Sequence, residues 1–358
     1  MIKLILKRTT SGLLIIFGVV TVVFFLFNIL PADPGRLMLG QRSDVASLEA
    51  INKQLGLDLP VSKRYLLYLN DISPVSLNSL NDSTSRVYAS REKYGEFVKV
   101  LPLGQKSLIL KKPYLNRSYQ SQELVSVILM DALPGTIVLS VVALFLAACI
   151  GIILGVWSAT RYQQWPDYLN LIISILGMSV PSFFAGILIA WFFGFLLSDW
   201  TGLSMTGSMY EIDPFNGEIL NLKNIILPAF TLGIRPLAVI VQLTRSSMLD
   251  AISTDYVRTA KAKGLSYQTV LYKHALRNAL NPVITAISGW FGSLLAGAVF
   301  IEYIFGWKGV GKVTVDALEH YDFPVVMGAV IMVSVFFVLI NWMVDLLYAF
   351  LDPRVRVE

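Results

Sequence analysis

Six apolar runs, each long enough to cross a bilayer as a helix, leave this 358-residue chain few folds to choose from. A hydrocarbon core about 30 Å thick takes roughly 20 consecutive apolar residues. The runs are about Ser11–Leu30, Gly135–Trp157, Leu169–Leu197, Ile225–Leu243, Val283–Tyr303 and Val325–Phe350. Composition agrees: 55% of residues are hydrophobic and 15% charged, against roughly 25% charged in soluble domains. The expected fold class is an all-α polytopic membrane protein with six transmembrane helices. The first run follows Lys3, Lys7 and Arg8, as a signal peptide would. Its apolar core is too long, however, and Pro31-Ala-Asp-Pro-Gly35 is a poor cleavage site, so it reads as an uncleaved span. The third and sixth runs exceed the required length and are expected to tilt or bend. Pro181 is the expected break in the third.

The Lys and Arg residues of short loops set orientation. One side carries Lys3, Lys7, Arg8, Arg161, Arg245, Arg258, Lys261, Lys263, Lys273, Arg277, Arg354 and Arg356. The short loops of the other side hold Lys223, Lys308 and Lys312 among seven acidic residues. The basic side, with both termini, is expected in the cytoplasm. The segment from Pro31 to about Met130 is then extracytoplasmic, with helix-like pieces near Ser47–Leu55 and Val61–Leu69. Its stretch Asp71–Ser121 reads equally as a small β-rich cap or a mobile loop.

Several chemistries are excluded or weak. One cysteine (Cys149, read as a small packing residue of an apolar run) and two histidines give no disulfide and no Cys/His zinc site, so neither metal nor cofactor is expected. The net charge of +5 sits at span ends rather than on a recognition fold, which argues against nucleic acid. Gly306–Val313 approaches a phosphate-binding loop, but Val313 stands where Ser or Thr would bind magnesium. Gly309 and Gly311 are instead read as a tight turn at the membrane surface. Paired membrane acids, which an ion-coupled secondary transporter would need, are lacking. Polar residues within the runs are Asn28, Arg235, Asn341 and Asp345. A charge at the bilayer centre costs roughly 2.5–3.5 kcal/mol, so it faces protein or a wet cavity. Arg235, just before Pro236, is read as lining a translocation cavity and attracting an acidic substrate group, with Asn341 a second cavity candidate. The structural alternative pairs Arg235 with Asp345 or with a backbone carbonyl near a proline break.

Between the fourth and fifth runs lies a basic amphipathic island, Asp255–Pro282, too long and too patterned for a simple connection. It reads as two short helices broken at Gly264. Ala260 and Ala262 are small enough for a partner to approach, and Lys261, Lys263, Lys273 and Arg277 suit acidic groups or lipid phosphates.

This island resembles the cytoplasmic coupling loop of binding-protein-dependent ABC importer permeases. Their Glu-Ala-Ala motif, three residues, then Gly is matched by Thr259-Ala260 and Gly264, with Arg258 in the Glu position. Tyr256–Leu265, His274–Leu280 and Pro282 are similar to the dipeptide/oligopeptide/nickel branch. So are Leu30–Pro34, Gln54–Asp58, Val180-Pro-Ser-Phe183, Thr244–Met248, Glu302–Phe305, Gly309-Val-Gly311, Asp322-Phe-Pro324 and Leu351–Arg354. The departures are Lys308, where the branch often has proline, and a longer Asp71–Arg117 segment. The resemblance implies a type I ABC importer permease in a bacterial inner membrane, not itself an enzyme. It implies three regions: residues 1–30 with the first span, an insert at 31–130, and a five-helix core at 131–358 with a coupling loop at about 246–282. Implied partners are a second homologous permease subunit, two ATPase subunits, an extracytoplasmic solute-binding protein and membrane lipid. Arg258, Thr259, Ala260, Lys261, Ala262, Lys263, Gly264 and Leu265 would form the ATPase-coupling contact. A short peptide is the implied substrate, with nickel chelates, other metallophores and sugars as alternatives.

Overall fold

The computed structural model describes residues 2–29, 58–213, 215 and 217–351. The expected helix near Ser47–Leu55 and the motif residues at 30–34, 54–57 and 352–354 fall outside these. The chain opens with α1 (Ile2–Ile29), then α2 (Val61–Ile72), β1 (Val75–Asn78), α3 (Arg91–Tyr94), β2 (Phe97–Leu103) and β3 (Lys106–Lys111). A 36-residue helix, α4 (Val125–Thr160), precedes α5 (Trp165–Ser179) and α6 (Ser182–Ile189), which continues as a π-helical stretch to Leu196. After α7 (Ser198–Thr201) and the hairpin β4 (Tyr210–Asp213) and β5 (Gly217–Leu220) comes α8 (Ile226–Ser253). The remainder is α9 (Asp255–Ala262), a π-helical segment Thr269–Leu276 running into α10 (Arg277–Gly297), α11 (Val299–Phe305), α12 (Val310–Glu319) and α13 (Phe323–Leu351).

Among the described residues five helical stretches are long and apolar enough to cross a membrane, and a sixth only if α5 and the α6 stretch form one broken span. Those two meet at 109°. The break falls at Val180-Pro181, because Pro181 has no N–H to continue the ladder and pushes Val180 out of the helical region. The fifth run is displaced from its expected limits. The helix begins at Thr269 and ends at Gly297, so the second half of the basic island is the start of a long helix rather than a short one.

Two compact units divide the chain. One comprises Met1–Leu14, Ala132–Val313 and Val333–Glu358. Its centre is α4 against α8. Ala143, Ala147, Gly151, Gly155 and Ala159 recur every fourth residue of α4, and all are buried. A methyl group built on Gly155 would lie 2.5 Å from Thr244 Cβ, and one on Gly151 2.8 Å from Ile240 Cγ2. Small residues at this spacing let two backbones approach where lipid offers no hydrophobic drive. Cys149 lies off this stripe and is exposed, not packed inside as expected.

The other unit comprises Ile15–Asp131 and Thr314–Met332. It settles the cap-or-loop alternative for the chain after Asp71: β1, β3 and β2 pair antiparallel, in that order, into a three-stranded sheet. The sheet buries its polar side. Ser76, Asn78, Ser107 and Lys111 turn inward beside Ile109, while Val75, Leu77 and Leu110 turn out. A charged knot fills the inner side. Asp71 takes Lys93 Nζ at 2.9 Å and Tyr94 Oη at 2.6 Å, and Lys111 Nζ donates to the Asp71 carbonyl at 2.5 Å. Burial lowers the Lys111 pKa to about 8. Helix α2 packs on the end of α1: Thr21 Oγ1 meets Tyr65 Oη at 2.7 Å, Phe24 stacks near Tyr65 and Tyr68, and Arg64 donates to Asn28. Asn28, a polar residue within the first run, thus has a structural partner.

Candidate functional site

The basic island forms a helix with one face anchored and one free. Val257 and Ala260 pack against Val156 and Ala159 of α4, Met248 and Ala251 of α8, and Val270, Leu271 and Ala275 after the turn. Tyr256, Arg258, Thr259, Lys261, Ala262, Lys263, Gly264 and Leu265 are all exposed. Ala260, expected to admit a partner, instead faces the protein's own core, and Ala262 is the small residue on the free face. Arg258 reaches Asp255 at 3.4 Å, one turn away and in water, a pairing of little energetic weight. Helix α9 ends by a left-handed cap. Gly264 has φ +76°, its N–H donates to the Lys261 carbonyl at 3.0 Å, and Lys263 N–H to that of Thr259 at 3.1 Å. A side chain at 264 would meet nothing of this chain within 4 Å.

Arg235 lines a cavity of about 210 Å³ with Val180, Ser182, Thr231, Trp290 and Gly297. Among the described residues it makes no hydrogen bond or ion pair. The alternative pairing fails, since Asp345 is held by Arg8 Nε at 3.0 Å. Pro236 has no N–H, so the Leu232 carbonyl one turn back loses its helical partner beside the same cavity. At this volume the cavity is smaller than the 300–1,000 Å³ of drug-sized binding pockets. Asn341 is not on its wall. Its amide donates to the Phe337 carbonyl of its own helix at 2.8 Å and sits near Gly292 of α10.

Two anchors escaped the sequence reading. Asp167, almost wholly buried, receives Arg245 Nε at 2.5 Å and Nη2 at 2.8 Å, the Gln163 N–H at 3.0 Å, and the Ser158 hydroxyl. One carboxylate therefore ties the end of α4, the following turn, α5 and α8. In the sequence Arg245 stands out as a topogenic charge and as part of the Thr244–Met248 motif, with no sign of Asp167 as its partner. The second anchor is Glu302, fully buried, which accepts from the Gly311 N–H at 2.7 Å and the Lys312 N–H at 3.2 Å, while Thr136 Oγ1 takes the Val310 N–H at 2.8 Å. The otherwise orphaned donors at the start of α12 are thereby satisfied. Methyl groups on Gly309 or Gly311 would collide with the Glu302 carboxyl. The two glycines flank a helix start built around a carboxylate, rather than forming the expected turn.

Sequence comparison decides the affiliation of this architecture. Residues 151–357 match the model of the binding-protein-dependent transport system inner membrane component family, and residues 1–84 match its N-terminal companion. The chain belongs to this family. The permease is 31% identical to the dipeptide transport system permease protein DppB of Alkalihalophilus pseudofirmus, covering 99% of this chain and 100% of that one. It is 34% identical to the di/tripeptide transport system permease protein DppB of Pseudomonas aeruginosa, over 99% of each. Identity to the glutathione transport system permease protein GsiC of Escherichia coli is 32%, again over 99% of each. A solved amino acid ABC transporter with histidines overlays at TM-score 0.45 and 14% identity, over 63% of this chain and 95% of its own, too loose a likeness to add to this. The permease is thus a multi-pass membrane component of an ABC importer. Its partners are an ATPase and a binding protein, and ATP hydrolysis belongs to the separate ATPase.

Proposed function

We propose that the permease forms half of a translocation pathway for short peptides, beside a second homologous permease subunit, with two ATPases docked on its cytoplasmic side. Three regions serve this role: residues 1–30 with the first span, the extracytoplasmic insert 31–130, and the core 131–358. Both termini lie in the cytoplasm of a bacterial inner membrane, as the Lys/Arg distribution demands. The free face of α9 (Arg258, Thr259, Lys261, Ala262, Lys263 and Leu265, with the open turn at Gly264) seats in a groove of one ATPase. Ala260 acts from behind it. Closure of the ATPases pushes α9, and the shared core of Val257, Ala260, Met248 and Val270 carries that push to the ends of α4, α8 and α10.

The peptide assignment draws on the names of the relatives and on one observation, the unpaired Arg235 on the cavity wall. An unpaired guanidinium is a bidentate partner for a carboxylate, which every peptide carries at its C-terminus. The test is uptake by proteoliposomes holding the whole transporter, comparing dipeptides with free and amidated C-termini. Arg235→Ala should lower uptake of the free acid severalfold and leave assembly intact. Equal uptake of acid and amide by the wild type, or unchanged uptake by the variant, removes Arg235 from the pathway. Preference for a nickel chelate over every peptide replaces the substrate.

A further inference from the structure

The three-stranded sheet departs from an ordinary half-buried sheet: its inner side sets the hydroxyl, amide and ammonium groups of Ser76, Asn78, Ser107 and Lys111 around Ile109, while its other aliphatics turn outward. Val75, Leu77, Leu110, Val98, Leu101 and Leu103 are each 44–64% exposed. They form one patch, because Val75 and Val98 both flank Leu110, and Leu77 and Leu101 both flank Leu108. Cross-strand neighbours of this kind lie about 5 Å apart. A contiguous apolar face of this extent marks an interaction surface.

We propose that this face rests on the bilayer surface, with the lysines at its rim pairing with anionic phospholipid headgroups. Three features favour a lipid surface over a protein. Protein interfaces draw their energy from Trp, Tyr and Arg and are depleted in Lys, whereas this face offers only Val, Leu and Lys106. Capture of a partner strand is blunted at both edges: β2 carries a bulge between Lys99 and Leu101 and then Pro102, and β1 already gives its Leu77 N–H to Asn70. Charge is one-sided as well: Lys106 stands on this face, Lys99 and Lys112 are exposed beside it, and the three strands contain no acid; the remaining lysine, Lys111, is buried on the inner side. An apolar face with long basic side chains at its margin is the pattern of interfacial membrane binding. The sheet also lies within reach of lipid. Helix α2 is packed on the end of the first span, and Asn70 of α2 accepts the Leu77 N–H of β1 at 3.0 Å. Which leaflet is involved follows from the topology proposed above, and the test does not depend on it.

The experiment uses the full-length chain in vesicles of phosphatidylethanolamine and phosphatidylglycerol, in a Cys149→Ser background. A bimane probe is placed at Leu101→Cys or Leu103→Cys, with Asn81→Cys in an exposed turn as reference. Lipids carrying a shallow acyl-chain nitroxide should quench both sheet probes at least threefold more than the reference, and a water-soluble quencher should reverse that order. Removing phosphatidylglycerol, or adding Lys106→Glu, should cut the lipid quenching at 101 by half or more. Quenching at both sheet sites no greater than at the reference overturns the proposal. So does a sheet that is shielded only once a solute-binding protein is added. Insensitivity to both phosphatidylglycerol and Lys106→Glu overturns the headgroup pairing.

Discussion

Gly264 separates the backbone demands of the coupling helix from its contact with a partner. Its φ of +76° costs an L-residue about 1–2 kcal/mol, and asparagine, which visits this region routinely, less. That is a factor of roughly 5–30 in the local equilibrium of the cap. The backbone term is common to Gly264→Ala and Gly264→Trp. A Cβ at 264 has nothing of this chain within 4 Å, and equal thermal midpoints for the Ala and Trp variants are the control that the indole meets no collision within the chain. The burial of Val257 and Ala260, worth about 1.5–3 kcal/mol for a fully buried valine, keeps the helix seated in all three variants. Any loss of Trp beyond Ala therefore measures what lies outside the chain. In proteoliposomes with the complete transporter, uptake per ATP hydrolysed should be near wild type for Asn, modestly reduced for Ala and at least tenfold lower for Trp. A Trp variant that coupled as well as the Ala variant would remove the ATPase from this surface.

Three further outcomes are expected. Asp167→Asn leaves Arg245 with a neutral partner and should destabilise the solubilised chain by up to about 3–5 kcal/mol, read as a lower thermal midpoint; an unchanged midpoint would mean the bidentate pair does not hold these helices. Gly311→Ala places a methyl 2.8 Å from Glu302 Oε2 and should cost about 1–3 kcal/mol, detectable as faster amide exchange at the start of α12, with Val310 protected as before if the reasoning is wrong. Lys111 has a folded pKa of about 8, below its ordinary 10.5, so the unfolded chain binds the extra proton between those values and stability should rise as pH climbs from 8 toward 10. Lys111→Met should abolish that rise in protease-resistance profiles of the insert.

The spans and the helix at Asp255–Ala262 were legible because both rest on local pattern: apolar length for the former, a basic amphipathic stretch between apolar runs for the latter. The 109° break was legible as Pro181, since proline acts on its own turn. What was hidden depends on partners distant in the chain. Asp167 and Arg245 are 78 residues apart, and neither carries a local sign of the other. Glu302 and Gly309-Val-Gly311 lie close enough in sequence to have been read together: an acid amid apolar residues, followed by two glycines, is a buried carboxylate awaiting a helix start. The strands failed differently. Val75-Ser-Leu-Asn78 alternates as a strand should, but alternation fixes two faces without saying which is inside, and here the polar one is. Likewise the smallness of Ala260 was visible, while its direction depended on where Val257 found its core.

The stripe of small residues between α4 and α8 divides the molecule's possible movements into two kinds. At Gly151 and Gly155 the α8 residues Ile240 and Thr244 stand where a methyl group would lie, so the two helices touch there with no layer of side chains between them. A contact this close favours movement of the pair as a single strut. Outside the α4–α8 contact the helical ladder is interrupted at the elbow at Pro181, at the step at Ala298 between α10 and α11, and at the turn at Gly264. Two of these interruptions adjoin the cavity wall at Val180 and Gly297, and the third adjoins the face that would be pushed. Joints at the load and at the lining, with a stiff strut between, are what a machine needs if work done at one end is to appear as an opening at the other.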